Sequence, residues 1–273
     1  MDNNYTFSEK IYIYLRLATA SIKSRMEYRA TFIIFMITLS LFYLAQVLTI
    51  GVVISRFKTI GGWSMGEMAF LYSLLILSQG LVASIFSGLI DFSTQVRDGN
   101  YDRTLVRPLS PLVQVVMNGF EISGIAHIIL GIASFFVANS FLDIKWGFEN
   151  SFVFLLVVLG GSFILAGIRI IIAAIAFWAV NNSSLVHLFV YSSREFLLYP
   201  LNIYSGGVRL LLTFLIPLGF INFYPAHYFL NKSTSELFHP YFIFATFPIG
   251  LFIYTISLFI WKLGQNAYES AGG

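Results

Sequence analysis

The chain has 273 residues, of which 58% are hydrophobic and only 11% charged, with a mean hydropathy of +0.80. A soluble domain carries about 25% charge, so too few charges are present to cover a water-facing surface, and the surplus apolar area needs lipid as its solvent. The net charge of +3 is small and reads as a topology signal, not as a nucleic-acid footprint. Twenty-nine Phe, fifteen Tyr and four Trp suit a bilayer and its interfaces, and the lack of Cys excludes disulfides, thiolate metal sites and Cys nucleophiles.

The sequence opens on a polar, partly acidic stretch, with no apolar core suited to a signal peptide, and no cleavage is expected. Over residues 7–28, Phe7, Ile11, Tyr14, Leu15, Ala18 and Ile22 share one helical face, opposite Glu9, Arg16, Lys23 and Glu27. Ile13 and Leu17 spoil the pattern, and Arg25 falls on the apolar side. An amphipathic helix on the membrane surface is expected for residues 1–29; an ordinary helix packed on protein is the alternative.

Apolar runs follow at Ala30–Ser55, Met65–Ile90, Leu112–Leu142 (with a break expected near its end), Phe152–Val180 (interrupted by Arg169) and Tyr241–Trp261. Each exceeds the roughly 20 residues needed to cross. Between residues 183 and 230, Ser184–Tyr204 and Val208–Phe223 flank Gly206-Gly207. If both termini share a side, only one of these two is a span. The fold class expected is all-α, with about six transmembrane helices in one domain over 30–273. Lys10, Arg16, Lys23, Arg25, Arg29, Arg97, Arg103, Arg107 and Lys262 fall on one side, and Arg56, Lys58, Lys145, Arg209 and Lys232 on the other. The first set is the larger, which puts both termini in the cytoplasm.

Residues 91–111 form the largest polar stretch between spans. Asp98-Gly99 signals a turn, Pro108 and Pro111 stop the segment, and Tyr101–Val106 suits a short helix along the surface. Such a loop either sets topology or docks a cytoplasmic partner, and its length exceeds what tethering needs. Within the apolar runs, Glu121, Arg169, Arg194 and Glu195 are costly, and all four fall roughly 14–17 Å along their spans at 1.5 Å per residue. Either they pin the third to fifth spans through salt bridges, or some line a water-filled path. His127, His187, His227 and His239 are scattered, and no phosphate-cradling loop or hydrolase motif occurs.

Three phrases and the terminal ESAGG carry a resemblance: GGWSMGEMAFLYS (Gly61–Ser73), DGNYDRTLVRPLSPLVQV (Asp98–Val115) and PLGFINFYPAHYFL (Pro217–Leu230). They resemble the six-span permeases of ATP-binding-cassette type-2 exporters, closest to the short bacterial subgroup. The resemblance implies a helix on the membrane before the first span. It also implies a coupling helix in loop 91–111, seated on a nucleotide-binding subunit through Asp98, Tyr101, Asp102, Arg103 and Arg107. Ser184–Tyr204 then becomes the fifth span and 205–240 an external re-entrant segment, although that segment has fewer polar residues than the family leads one to expect. The chain itself would bind no cofactor. ATP and Mg would sit on separate ATPase subunits, and a second permease chain, related or identical, would complete the path in the bacterial plasma membrane. A secondary transporter and a non-transporting sensor or scaffold subunit are the rivals; the first would need inverted repeats, and none is seen.

Overall fold

A computed structural model gives the fold and describes residues 6–26, 29–121, 123–179, 181–232 and 240–269. The described residues are helical throughout, apart from turns and one isolated bridge between Ile60 and Trp63. Helix α1 (Phe7–Met26) starts at a reciprocal cap: the Thr6 amide donates to Glu9 Oε2 at 2.7 Å, and the Glu9 amide to the Thr6 hydroxyl at 3.4 Å. Next comes α2 (Arg29–Phe57), about 43 Å long at 1.5 Å per residue. A tight turn follows, with Gly61 and Gly62 at φ 58° and 81°, a left-handed pair that glycine adopts without steric cost. The Ser64–Glu67 capping box then opens α3 (Met65–Ile85).

Between α3 and the next long helix lie α4 (Phe92–Arg97), α5 (Asp102–Leu105) and α6 (Pro111–Asn118), the last opened by proline at its first position. Then come α7 (Ser123–Ser140) and α8 (Phe148–Ile175). Helices α9 (Ser183–Val186) and α10 (Ser193–Leu197) are joined by a π-helical stretch, His187–Ser192. After α11 (Gly206–Leu210) and α12 (Phe223–Phe229), α13 (Ile243–Asn266) closes the chain.

Helix α3 is the axis of the bundle, packed on α7 and α8, while α8 lies along α13. Backbones meet where glycine permits it. A Cβ on Gly160 would sit 2.8 Å from the Phe247 backbone, and one on Gly119 would overlap Gly88. Helix α1 packs on α6: Ser21 donates to the Asn118 carbonyl at 2.8 Å, and the Ser110 amide donates to the Tyr14 hydroxyl at 3.0 Å. Tyr14, Ala18 and Ile22 are part-buried, and so are Ile13 and Leu17, the two residues that break the amphipathic pattern. Ile11 and Leu15 remain exposed. The helix therefore has a protein-facing side and a separate apolar side left open.

Several expected boundaries change. The run Leu112–Leu142 is not one helix: it breaks near its start, between Asn118 and Ser123, where the Glu121 amide bonds the Ser84 carbonyl at 2.9 Å. Glu121 thus sits at a helix junction beside the end of α3. Helix α8 runs through Arg169 without interruption. The α-helix from Met65 ends at Ile85 rather than Ile90. The helical run from Ser183 stops at Leu197, before Pro200, and covers only about 22 Å.

Among the described residues, α3, α8 and α13 are long and apolar enough to cross a bilayer. The segment Gly206–Leu215 and Leu218–Phe229, bent by 76°, makes a fourth if it counts as one broken span. Its first arm exposes Phe214 and Leu215, whereas its second buries Phe220, Phe223, Tyr224 and Phe229. Asn222 anchors the second arm, donating to the Leu197 carbonyl at 2.7 Å. Residues 233–239 of the expected external segment lie outside the described residues.

Candidate functional site

Loop 91–111 is built around two aromatic residues with no exposed surface, Phe92 and Tyr101. Their rings meet edge to face at 5.2 Å. Both pack on Phe177, just past the end of α8, at 5.2 and 5.3 Å. Phe92 also lies 4.8 Å from Trp261 of α13, and Tyr101 lies 5.1 Å from Tyr268 beyond it. Burial pushes the Tyr101 phenol well above the ordinary tyrosine range, with a smaller push from Tyr268. Gln114 staples the loop from α6, donating to the Thr104 and Leu109 carbonyls at 3.1 and 3.0 Å.

The other side of the loop is open. Arg97, Asp98, Arg103 and Arg107 are exposed, as is Val106 at 78%. Arg97 and Asp98 pair at 3.3 Å, leaving Arg103 and Arg107 at the rim of an outward ledge. Of the five residues expected to touch a partner, Tyr101 is enclosed and acts as an anchor. Asp102 is half-buried and accepts a hydrogen bond from the Tyr268 hydroxyl at 3.0 Å. Arg103 and Arg107 are exposed, and Asp98 is exposed but paired with Arg97. The expected helix Tyr101–Val106 is present as α5, and α4 before it was not foreseen. Helix α1, the ledge and the end of α13 share one end of the bundle, as the contacts of Tyr14 and Tyr268 require.

The four charges within apolar sequence divide into two places. Arg169 is 5% exposed, and its guanidinium donates to the Val82 carbonyl of α3 at 3.2 Å. Arg194 and Glu195 turn toward α2. Arg194 donates to the Tyr43 hydroxyl at 3.2 Å and lies 5.6 and 5.7 Å from the rings of Phe42 and Tyr43. Glu195 is exposed and receives Gln46 Nε2 at 3.5 Å, while Gln46 accepts from the Tyr72 hydroxyl. Tyr43, Gln46, Tyr72, Gln79 and Arg194 meet Leu75, Ile76 and Leu198 in a gap between α2, α3 and α10 too small to hold a water. Ser184, His187, Tyr191 and Glu195, spaced three or four residues apart along α9, the π-helical stretch and α10, are all exposed.

At the opposite end of the bundle, Lys232 pairs with Glu67 at 2.9 Å and lies 4.8 Å from the Trp63 ring. A cavity of about 390 Å³ opens there, lined by Trp63, Asn202, His227, Asn231 and Lys232 among others. His127 packs edge-on against Tyr43, and His227 lies between Trp63 and Phe223, while His239 lies outside the described residues. Among the described residues no three His, Asp or Glu converge as a metal site would require.

Sequence reasoning missed Phe92, Phe177, Trp261 and Tyr268 at the loop, and Tyr43, Gln46 and Tyr72 near the charges. Aromatic residues at span ends are expected as interface anchors, so nothing local marked these rings as partners. No curated protein and no solved structure matches the chain. Residues 33–272 match the family model described as "ABC-2 family transporter protein", nearly the whole sequence. An all-helical, multi-pass membrane protein covered by that match from its first long helix to its last residues belongs to the ABC-2 transporter family.

Proposed function

We propose that this chain is the permease subunit of an ATP-binding-cassette exporter of the short bacterial six-span type. It forms half of a translocation path with a second permease chain, related rather than identical, and it is driven by separate ATPase subunits that hold ATP and Mg. The observation that carries this reading is the ledge of loop 91–111: a basic outward face, Arg103 and Arg107, on an aromatic base anchored to α8 and α13. A loop that only joined two spans would need no such base. The sequence lacks a phosphate-cradling loop, so the nucleotide chemistry falls to a partner.

The ledge, α1 and the end of α13 then face the cytoplasm of a bacterial plasma membrane, in line with the Lys and Arg asymmetry. The bent segment lies outside as a re-entrant element, and α2 and α9–α10 count among six crossings. Glu195 supports a paired assembly. A carboxylate facing lipid costs at least ~2.5–3.5 kcal/mol, so Glu195 belongs against water or a second chain. Arg169 and Glu121 serve packing, while Glu195 and the exposed residues before it border the path. The cargo is an amphipathic or hydrophobic compound, as the aromatic, charge-poor spans favour.

The chain has no native Cys, so a photo-crosslinker attached at Arg103→Cys reports its contacts directly. Crosslinks to a co-purifying ATPase support the proposal. A label that reaches only lipid or solvent in the intact complex sinks it. Impermeant thiol labelling of Glu149→Cys checks orientation, and reaction from the cytoplasmic side alone would reverse the topology.

A further inference from the structure

We propose that Tyr268 and Asp102 form a clasp through which loop 91–111 moves α13, so that a push on the ledge reaches the last span directly. This rests on the ledge being the ATPase-facing element. By chain connection alone, the loop adjoins α3 through the Ser87–Leu89 turn and α6 through Pro111. Neither link reaches α13, which lies more than 130 residues further along the chain.

Contacts in space supply the missing route. Phe92 packs on both Phe177 and Trp261, whose own rings meet at 5.0 Å and 74°, and Tyr101 packs on Phe177 beside them. Tyr268, two residues past the end of α13, packs against Tyr101 and Phe177 at 5.1 and 5.8 Å. Its hydroxyl then donates to Asp102 Oδ1 at 3.0 Å. Gly264 keeps α13 flush with this cluster, since a Cβ there would lie 2.5 Å from the Phe177 ring. The rings resist compression but slide readily, whereas a hydrogen bond to a carboxylate fixes direction. Asp102 adjoins Arg103 on the ledge, so the residue that ties the loop to the tail neighbours one that meets the partner. The clasp is thus positioned to convert displacement of the ledge into displacement of α13.

The test uses the full chain with its ATPase, reconstituted in bilayers. Single Cys spin labels are placed at Val106→Cys on the ledge and at Phe252→Cys on an exposed face of α13. Spectra are recorded without nucleotide and with ATP plus vanadate. Both labels should respond in the parent chain. Tyr268→Phe and Asp102→Ala should preserve assembly and the ledge response, while the nucleotide-dependent population shift at residue 252 falls roughly tenfold, as loss of a charge-assisted hydrogen bond allows. Asp102→Asn, which keeps an acceptor oxygen, should restore part of that shift.

Several outcomes decide against the proposal. An unchanged response at 252 in Tyr268→Phe and Asp102→Ala overturns it, and so does a parent chain whose ledge responds while 252 does not. Joint loss of both responses together with assembly shows a merely structural contact and also overturns it. A silent ledge label in an intact parent complex instead refutes the functional reading beneath it.

Discussion

Two parts of the bundle are joined by different physics. In the core, α3 with α7 and α8 with α13 meet through glycines whose backbones nearly touch, and 78% of the apolar window of α3 is buried. At the edge, α2 buries Tyr43 but exposes Ile33, Ile34, Ile37, Leu41, Leu44, Leu48 and Val52. Its contacts with α10 run through Tyr43, Gln46, Arg194 and Glu195. In lipid, apolar surfaces gain little by leaving one apolar solvent for another, so close backbone packing and polar contacts decide which helices stay together. The difference teaches that the core is fixed by shape and the α2 edge by a few exchangeable polar contacts. The edge is the part suited to move or to meet another chain.

That contrast can be broken most severely in the core. Gly119→Val should prevent folding, because the new side chain would occupy the backbone of Gly88 with no flexible group to yield. A loss above about 4 kcal/mol is expected, read as absence of a monodisperse peak after extraction. Gly62→Ala, with open space around its Cβ but a φ of 81°, should retain a folded peak at reduced stability.

Removing the buried cation comes next. Arg169→Ala takes away the guanidinium that donates to the Val82 carbonyl of α3. The expected loss is about 1.5–3 kcal/mol, the range for a hydrogen bond made by a charged group. Lys58→Ala, at an exposed turn, is the control. Arg169→Met with Glu121→Leu should recover part of the loss in a thermal melt. No recovery would separate the two residues energetically.

The α2 edge should respond more gently. Tyr43→Phe removes the hydroxyl that receives Arg194 while keeping the ring, and should cost about 0.6–1.7 kcal/mol, the range for polar contacts between membrane helices. The same substitution should raise protease access to the turn after α2. A loss as large as that of Arg169→Ala would show that α2 belongs to the core. Smallest of all, Arg97→Gln should change the melting temperature by no more than an exposed pair is worth, under ~1 kcal/mol, and less at high salt.

The sequence by itself determined that the chain is helical and lives in lipid, because composition leaves no other solvent for so much apolar surface. It also determined where the polar ledge lies and that a short helix occupies it, since Asp98-Gly99, Pro108 and Pro111 are local signals. Apolar runs placed the starts of α2, α3 and α13 within two residues of those observed, but overran the ends of the helices from Met65 and Ser183 by five residues or more. They did not place the break between Asn118 and Ser123, because what bends the chain there is distant: the close approach of Gly88 to Gly119 and the Ser84 carbonyl that takes the Glu121 amide.

Only the tertiary structure decided which charges meet. Arg194 and Glu195 are neighbours in sequence, yet their partners are Tyr43 and Gln46 on α2, and Arg169 answers to Val82 on α3. It alone turned Tyr101 inward and set Tyr268 on Asp102. The physical reason is the same throughout. Composition and spacing act over one or two helical turns, whereas a buried polar group takes whichever partner the packed bundle brings within hydrogen-bond reach, however far away in the chain.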